Sequence, residues 1–206
     1  AKFPHDELRR AGYVAYAFGQ RTYNGVALLV RDGHAATDVV AGLPGFADEQ
    51  KRVIAATVDG VRIVNAYVPN GQAVGSDKYA YKLAAHSRLV FMGDMNIAPE
   101  SRDVHDPALW EGQVLCSEPE RAAFREWLGL GLVDGFRRFE QPPNTFSWWD
   151  YRMLAFPKNR GLRIDHILLS TALAECCTAC RIDRNARKGE KPSDHAPVIA
   201  EFAAVA

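Results

Sequence analysis

The chain has 206 residues, 48% of them hydrophobic, enough to bury one sizeable core, and a single domain over 1–206 is expected. Lys plus Arg number 25 and Asp plus Glu number 25, so the formal net charge is zero, which argues against a generic nucleic-acid coating protein and requires any nucleic-acid site to be a local basic patch. No apolar run is long enough to span a bilayer, and the start, Ala1-Lys2-Phe3-Pro4-His5-Asp6, is polar and turn-like, so a soluble cytoplasmic protein is expected.

In chain order, Pro4-His5-Asp6 opens a short helix that Gly12 stops, and Tyr13 to Phe18 reads as a strand. Asn24-Gly25 turns the chain into a second strand, Gly25 to Arg31. Lys51–Val58 and Val61–Tyr67 flank Asp59-Gly60, the strongest hairpin signal in the sequence. Pro69-Asn70-Gly71 is a turn, and Asp77 to His86 a short helix. Arg88 to Gly93 is a buried strand, followed by a long loop from Ile97 to Cys116. Ser117-x-x-Glu120 is a capping box that starts a helix running to Gly129, with Trp127 on its core face. Phe146 to Trp149 suggests a short aromatic strand, Arg163 to Leu169 a longer one, Ala174–Ile182 a helix end passing into a strand, and Ala196 to Phe202 the last strand. Cys116, Cys176, Cys177 and Cys180 lack a second metal-spaced pair and are expected to be reduced thiols.

Chemistry gathers at strand ends. Asp94 and Asn96 are two apart where a strand closes, so their side chains point to one side; these four residues, Gly93 to Asn96, are equally consistent with a plain Asx turn. Asp165 is a carboxylate among apolar neighbours, costly to bury without a partner, whereas His166 on the opposite face reads as a packed bystander. Asp194 beside His195 is able to orient and charge an imidazole. Carboxylates, a carboxamide and an imidazole specify a site for a hard cation such as Mg²⁺.

Gly93-Asp94-Met95-Asn96-Ile97-Ala98-Pro99-Glu100, Gly161-Leu162-Arg163-Ile164-Asp165 and Ser193-Asp194-His195 resemble the signature blocks of the exonuclease III family. That family contains the bacterial apurinic/apyrimidinic endonucleases and belongs to the endonuclease/exonuclease/phosphatase superfamily. The resemblance implies a DNase I-like α/β fold, a four-layered α/β/β/α sandwich of two mostly antiparallel sheets. It implies a Mg²⁺-dependent (or Mn²⁺-dependent) monomeric DNA repair hydrolase, a 3′-5′ exodeoxyribonuclease and abasic-site endonuclease acting on double-stranded DNA at abasic sites and 3′ ends. Tyr67, Asp94, Asn96, Asp165, Asp194 and His195 become the catalytic set: Asp94 orients water, Asn96 holds phosphate or water, and His195 donates to a phosphate oxygen while Asp194 accepts from its other nitrogen. Tyr67 supports the phosphate or leaving group, and Asp165 is a further metal- or water-positioning carboxylate. Asp94, Asn96, Asp194 and His195 form the implied metal group.

Substrate contacts implied in the same way are Asn70, Arg52, Tyr23 and Arg152, with Trp148, Leu162 and Ile164 as an apolar pocket for a baseless sugar, unless those three are simply core. The basic run Arg184, Arg187, Lys188 and Lys191 before Ser193 suggests a phosphate patch, or a solvated loop. Two departures stand out. The family's opening Asn-x-Asn-Gly and Gln-Glu-Thr-Lys blocks, the latter carrying its principal metal ligand, do not occur, and the helix before Asp94 is short. An N-terminally incomplete version of a longer enzyme is expected. The alternatives are a catalytically impaired DNA-binding remnant and a superfamily cousin acting on another phosphodiester or phosphomonoester.

Overall fold

A computed structural model describes residues 3–21, 24–42, 50–67 and 88–203. Helix α1 (His5–Arg10) ends before Gly12, whose φ of +82° few side chains tolerate, and the chain enters β1 (Tyr13–Gly19). Strand β2 (Gly25–Arg31) returns antiparallel, Tyr13 opposite Arg31. Strand β3 (Ala36–Ala41) was not anticipated, because Asp38 and a register shift interrupt its pattern. Strands β4 (Val53–Val58) and β5 (Val61–Ala66) pair antiparallel around Asp59 and Gly60, whose φ values of 48° and 75° match a type I′ turn. The turn at Pro69-Asn70-Gly71 and the helix expected over 77–86 lie outside the described residues.

Strand β6 (Leu89–Asp94) follows. The expected loop after it is partly helical: Ser101–Asp103 forms one 3₁₀ turn, and Asp106 caps α2 (Pro107–Trp110) by accepting from Leu109 N at 3.1 Å. Helix α3 (Glu118–Gly129) carries the expected capping box, in which the Glu120 carboxylate accepts from Ser117 N at 2.9 Å. Next come β7 (Leu132–Asp134), β8 (Asp165–Ser170), α4 (Thr171–Cys176), β9 (Cys177–Ile182) and β10 (Val198–Phe202). Phe146–Trp149 is not a ladder strand. Trp148 makes isolated bridges to Leu162 and to His195, and the buried Ser147 hydroxyl takes two backbone N–H groups that a partner strand would otherwise take.

Six strands form one sheet in the order β3-β4-β5-β6-β8-β7, antiparallel except for β5–β6. Alternation sends Ala55, Val64, Leu89, Phe91 and Leu168 to one face, where Phe124 and Trp127 of α3 cover them. Phe91 meets Trp127 edge-on at 5.4 Å, and truncating either ring costs about 3–5 kcal/mol. The opposite face presents Ile54 and Ala56 to Val26 and Leu28 of β2, and Val90, Ile167 and Leu169 to β9 and β10. The result is the expected sandwich of two β layers with a helix outside. Among the described residues the second layer consists of two ribbons, β1–β2 and β9–β10. All four cysteines are free thiols, and no helix among the described residues is long and apolar enough to cross a membrane.

Candidate active site

The site begins with a close backbone approach. A Cβ on Gly93 would lie 2.0 Å from the carbonyl oxygen of Ala66, and its φ is +145°, so only glycine lets β6 end against the last residue of β5. One residue on, Asp94 pairs directly with Asp165 across β6 and β8. Partners in an antiparallel ladder put their side chains on one face about 4.5–5.5 Å apart, so register alone brings the two carboxylates together. Burial first, then the Asp165 charge, raise Asp94 from 3.8 to about 6 despite His195 and the Asn96 hydrogen bonds. Asn96, at φ +51°, folds back and donates its backbone N and its Nδ2 to Asp94, each at 3.0 Å. The Asx turn and the functional reading of Gly93–Asn96 are therefore one structure: the turn fixes both Asp94 oxygens.

His195 closes the group. Its Nδ1 lies 2.9 and 3.1 Å from the two Asp165 oxygens, leaving Nε2 as the ring nitrogen for a bound group. Burial opposes charging the ring, but the Asp165 hydrogen bond and the Asp165, Asp94 and Asp194 charges hold its pKa above 6.5. Here one expectation is corrected: Asp194 does not serve His195 as acceptor. The two side chains part, and Asp194 instead accepts from Trp148 Nε1 at 3.0 Å. Asp165 has the role expected of Asp194.

Beneath the carboxylates lies a buried network that sequence reading missed. Arg163, 1% exposed, donates Nε and Nη2 to Asp103 at 2.7 and 3.3 Å, pairs with Asp134 at 2.9 Å, and gives Nη1 to His166 Nδ1 at 3.0 Å. Arg137 also donates to Asp103. His166 is no bystander. Its Nε2 is 2.8 Å from the Ile97 carbonyl, which fixes the Nε2–H tautomer, and burial followed by the Arg163 charge depresses its pKa to about 4. Burial works against the Asp103 carboxylate, yet Arg163 and Arg137 hold it below the usual range. Ser147 was missed too: its hydroxyl accepts from Ile164 N and Asp165 N, both at 3.1 Å, and so anchors the start of β8. The only local hints were the charges at Asp134 and Arg163 among apolar neighbours.

The remaining expected residues scatter in role. Tyr67, at the end of β5, lies under the Arg52 guanidinium at 4.7 Å. Leu162 and Ile164, 0% and 2% exposed, belong to a core cluster with Ala98, Val104, Leu115 and Cys116, so they support Trp148 from behind and do not line a pocket. Trp148 is half-buried. Arg152 is exposed and turned onto Asp150, with Nη2 at 2.7 Å. Arg187 is buried and not part of a solvent-facing phosphate patch. Tyr23 and Asn70 lie outside the described residues.

One ligand atom each from Asp94, Asp165 and His195 lie within 4.8 Å of one another. Two carboxylates and an imidazole suit a hard divalent cation, and like charges set side by side in a half-buried site fit one well. Asp194, expected in the metal group, is not in this cluster. Two facing β layers with a carboxylate–imidazole cluster at the strand ends suit metal-assisted hydrolysis of a phosphoester.

The profile described as Endonuclease/Exonuclease/phosphatase family matches residues 2–195, and the chain belongs to that family. Its nucleases depend on a divalent metal. Exodeoxyribonuclease III of Haemophilus influenzae is 36% identical, over 97% of this chain and 84% of that protein. Among solved structures, a variant of the 3′ phosphatase NExo from Neisseria, bound to a product DNA hairpin, superposes with a TM-score of 0.89 at 42% identity, over 98% of this chain and 84% of that one. An AP endonuclease from Archaeoglobus fulgidus gives 0.85 at 36% identity, over 98% and 83%.

Proposed function

We propose that the chain cleaves double-stranded DNA with Mg²⁺, at 3′ ends and 5′ to abasic sites, acting as a monomer in the cytoplasm. It is an exonuclease III-type DNA repair nuclease, a hydrolase of DNA phosphodiester bonds. The observation that carries this reading is the convergence of Asp94, Asp165 and His195, with the family membership behind it. The bacterial exodeoxyribonuclease III relative supports the location.

Asp94, with a pKa near 6, is ionised at neutral pH and still basic enough to take a proton from an attacking water. Asn96 holds it in place. Asp165 fixes the His195 ring through Nδ1, and His195 presents Nε2–H to a non-bridging phosphate oxygen as charge builds there. Tyr67, steadied by Arg52, stands at the adjoining strand end to support the phosphate or leaving oxygen. A divalent ion held by the Asp94 and Asp165 carboxylates would neutralise charge on the phosphoryl oxygens. The test is cleavage of duplexes carrying one abasic analogue, or a recessed 3′ end, across a Mg²⁺ titration. Cleavage should require the ion and fall by 100-fold or more in His195→Ala. Cleavage without metal, or a His195→Ala variant of full activity, would refute the assignment.

A further inference from the structure

Arg187 lies on the 3₁₀ segment Arg184–Lys188 and is only 6% exposed, yet among the described residues no carboxylate pairs with it. A buried guanidinium without a counter-charge is costly, so what holds it is informative. Three aromatic rings do: its Cζ is 4.8 Å from the Phe156 ring, 5.5 Å from Tyr151 and 5.9 Å from Trp149. Two of its walls are locked together, since Trp149 and Phe156 meet edge-on at 5.1 Å and Trp149 Nε1 donates to Asn159 Oδ1. From this cage Arg187 Nη1 donates to the backbone carbonyl of Ser193.

Ser193 is two residues before His195, and its neighbours are tied down in the same way. Tyr151 Oη donates to the Pro192 carbonyl at 2.9 Å, Trp149 N to the Asp194 carbonyl at 3.0 Å, and His195 N to Ser193 Oγ at 3.1 Å. Among the described residues the segment's one bridge runs from Trp148 to His195, so these backbone tethers, together with Asp165 on Nδ1, set where the imidazole stands. We infer that Arg187 is a positioning residue for His195: its caged guanidinium fixes the Ser193 carbonyl and thereby the ring that meets the phosphate. The inference rests on the role given to His195 above.

The test compares Arg187→Met, which fills the cage without a donor, with Arg187→Lys, which keeps a cation and a shorter donor. On the abasic duplex kcat should fall roughly 10- to 100-fold in R187M with KM within about twofold, and by a smaller factor in R187K. The ¹⁵N signal of the His195 ring, recorded without metal, should shift or broaden in both, more in R187M. Thermal melts check folding. If R187M does not fold, R187K carries the test through that signal. Wild-type kcat with an unmoved signal overturns the inference, as does equal loss in the two folded variants. Failure of the wild-type chain to cleave would sink the nuclease reading, whereas the ring signal still decides the role of Arg187.

Discussion

Replacing Asp94 with Asn should make the metal-free protein more stable while abolishing cleavage. Burial and the facing Asp165 lift the Asp94 carboxyl from 3.8 to about 6. At 1.36 kcal/mol per unit, keeping it ionised costs the fold roughly 3 kcal/mol at neutral pH. Asparagine removes that charge but turns one acceptor into a donor facing the amide groups of Asn96, returning about 1 kcal/mol. The net gain is about 2 kcal/mol, or roughly 4–8 °C in Tm for a chain of this size. The sign follows from the direction of the shift. A carboxyl whose folded pKa is raised penalises the fold fully above that pKa, and the penalty shrinks as pH falls from about 6 to 3.8. Urea unfolding in a chelator should therefore show D94N more stable at pH 7.5 and the difference gone near pH 4. Added Mg²⁺ should stabilise wild type more than D94N. A variant less stable than wild type at pH 7.5, or a gain independent of pH, would refute the proposed crowding of charge at this site.

Two further variants probe the scaffold. Arg163→Met takes the buried Asp134 carboxylate's cation away and leaves Asp103 with Arg137 alone, and urea midpoints should report a loss of about 3–5 kcal/mol. Gly93→Ala drives a methyl into the Ala66 carbonyl at a φ of +145°, so the β5–β6 pairing must open; calorimetry should show a loss above roughly 3 kcal/mol together with lost cleavage.

What was legible in the sequence was local. Asp59-Gly60 announces its hairpin, and Ser117 with Glu120 announces the start of α3, because both signals are complete within four residues. Asp94 and Asn96 are legible for the same reason. The partner of His195 was not. Asp194 is its neighbour in the chain but bonds Trp148, and the true partner, Asp165, arrives from another strand. Arg163, Asp103, Asp134 and His166 meet only after β7, β8 and the 97–104 segment have packed, so no short window contains their network. For Leu162 and Ile164 the sequence leaves a sugar pocket and plain core equally open, and their burial, at 0% and 2% exposed, favours core. Strand β3 escaped because its register shift spoils the period-two pattern on which strand recognition relies.

The direct opposition of Asp94 and Asp165 also links assembly to competence. A slip of a single residue between β6 and β8 would turn one acid toward the far side of the sheet and dissolve the cluster. Misfolded or half-assembled molecules would then be inert, not indiscriminate cutters. Appearance of cleavage during refolding should track the docking of β8, making the reaction its own gauge of correct strand alignment.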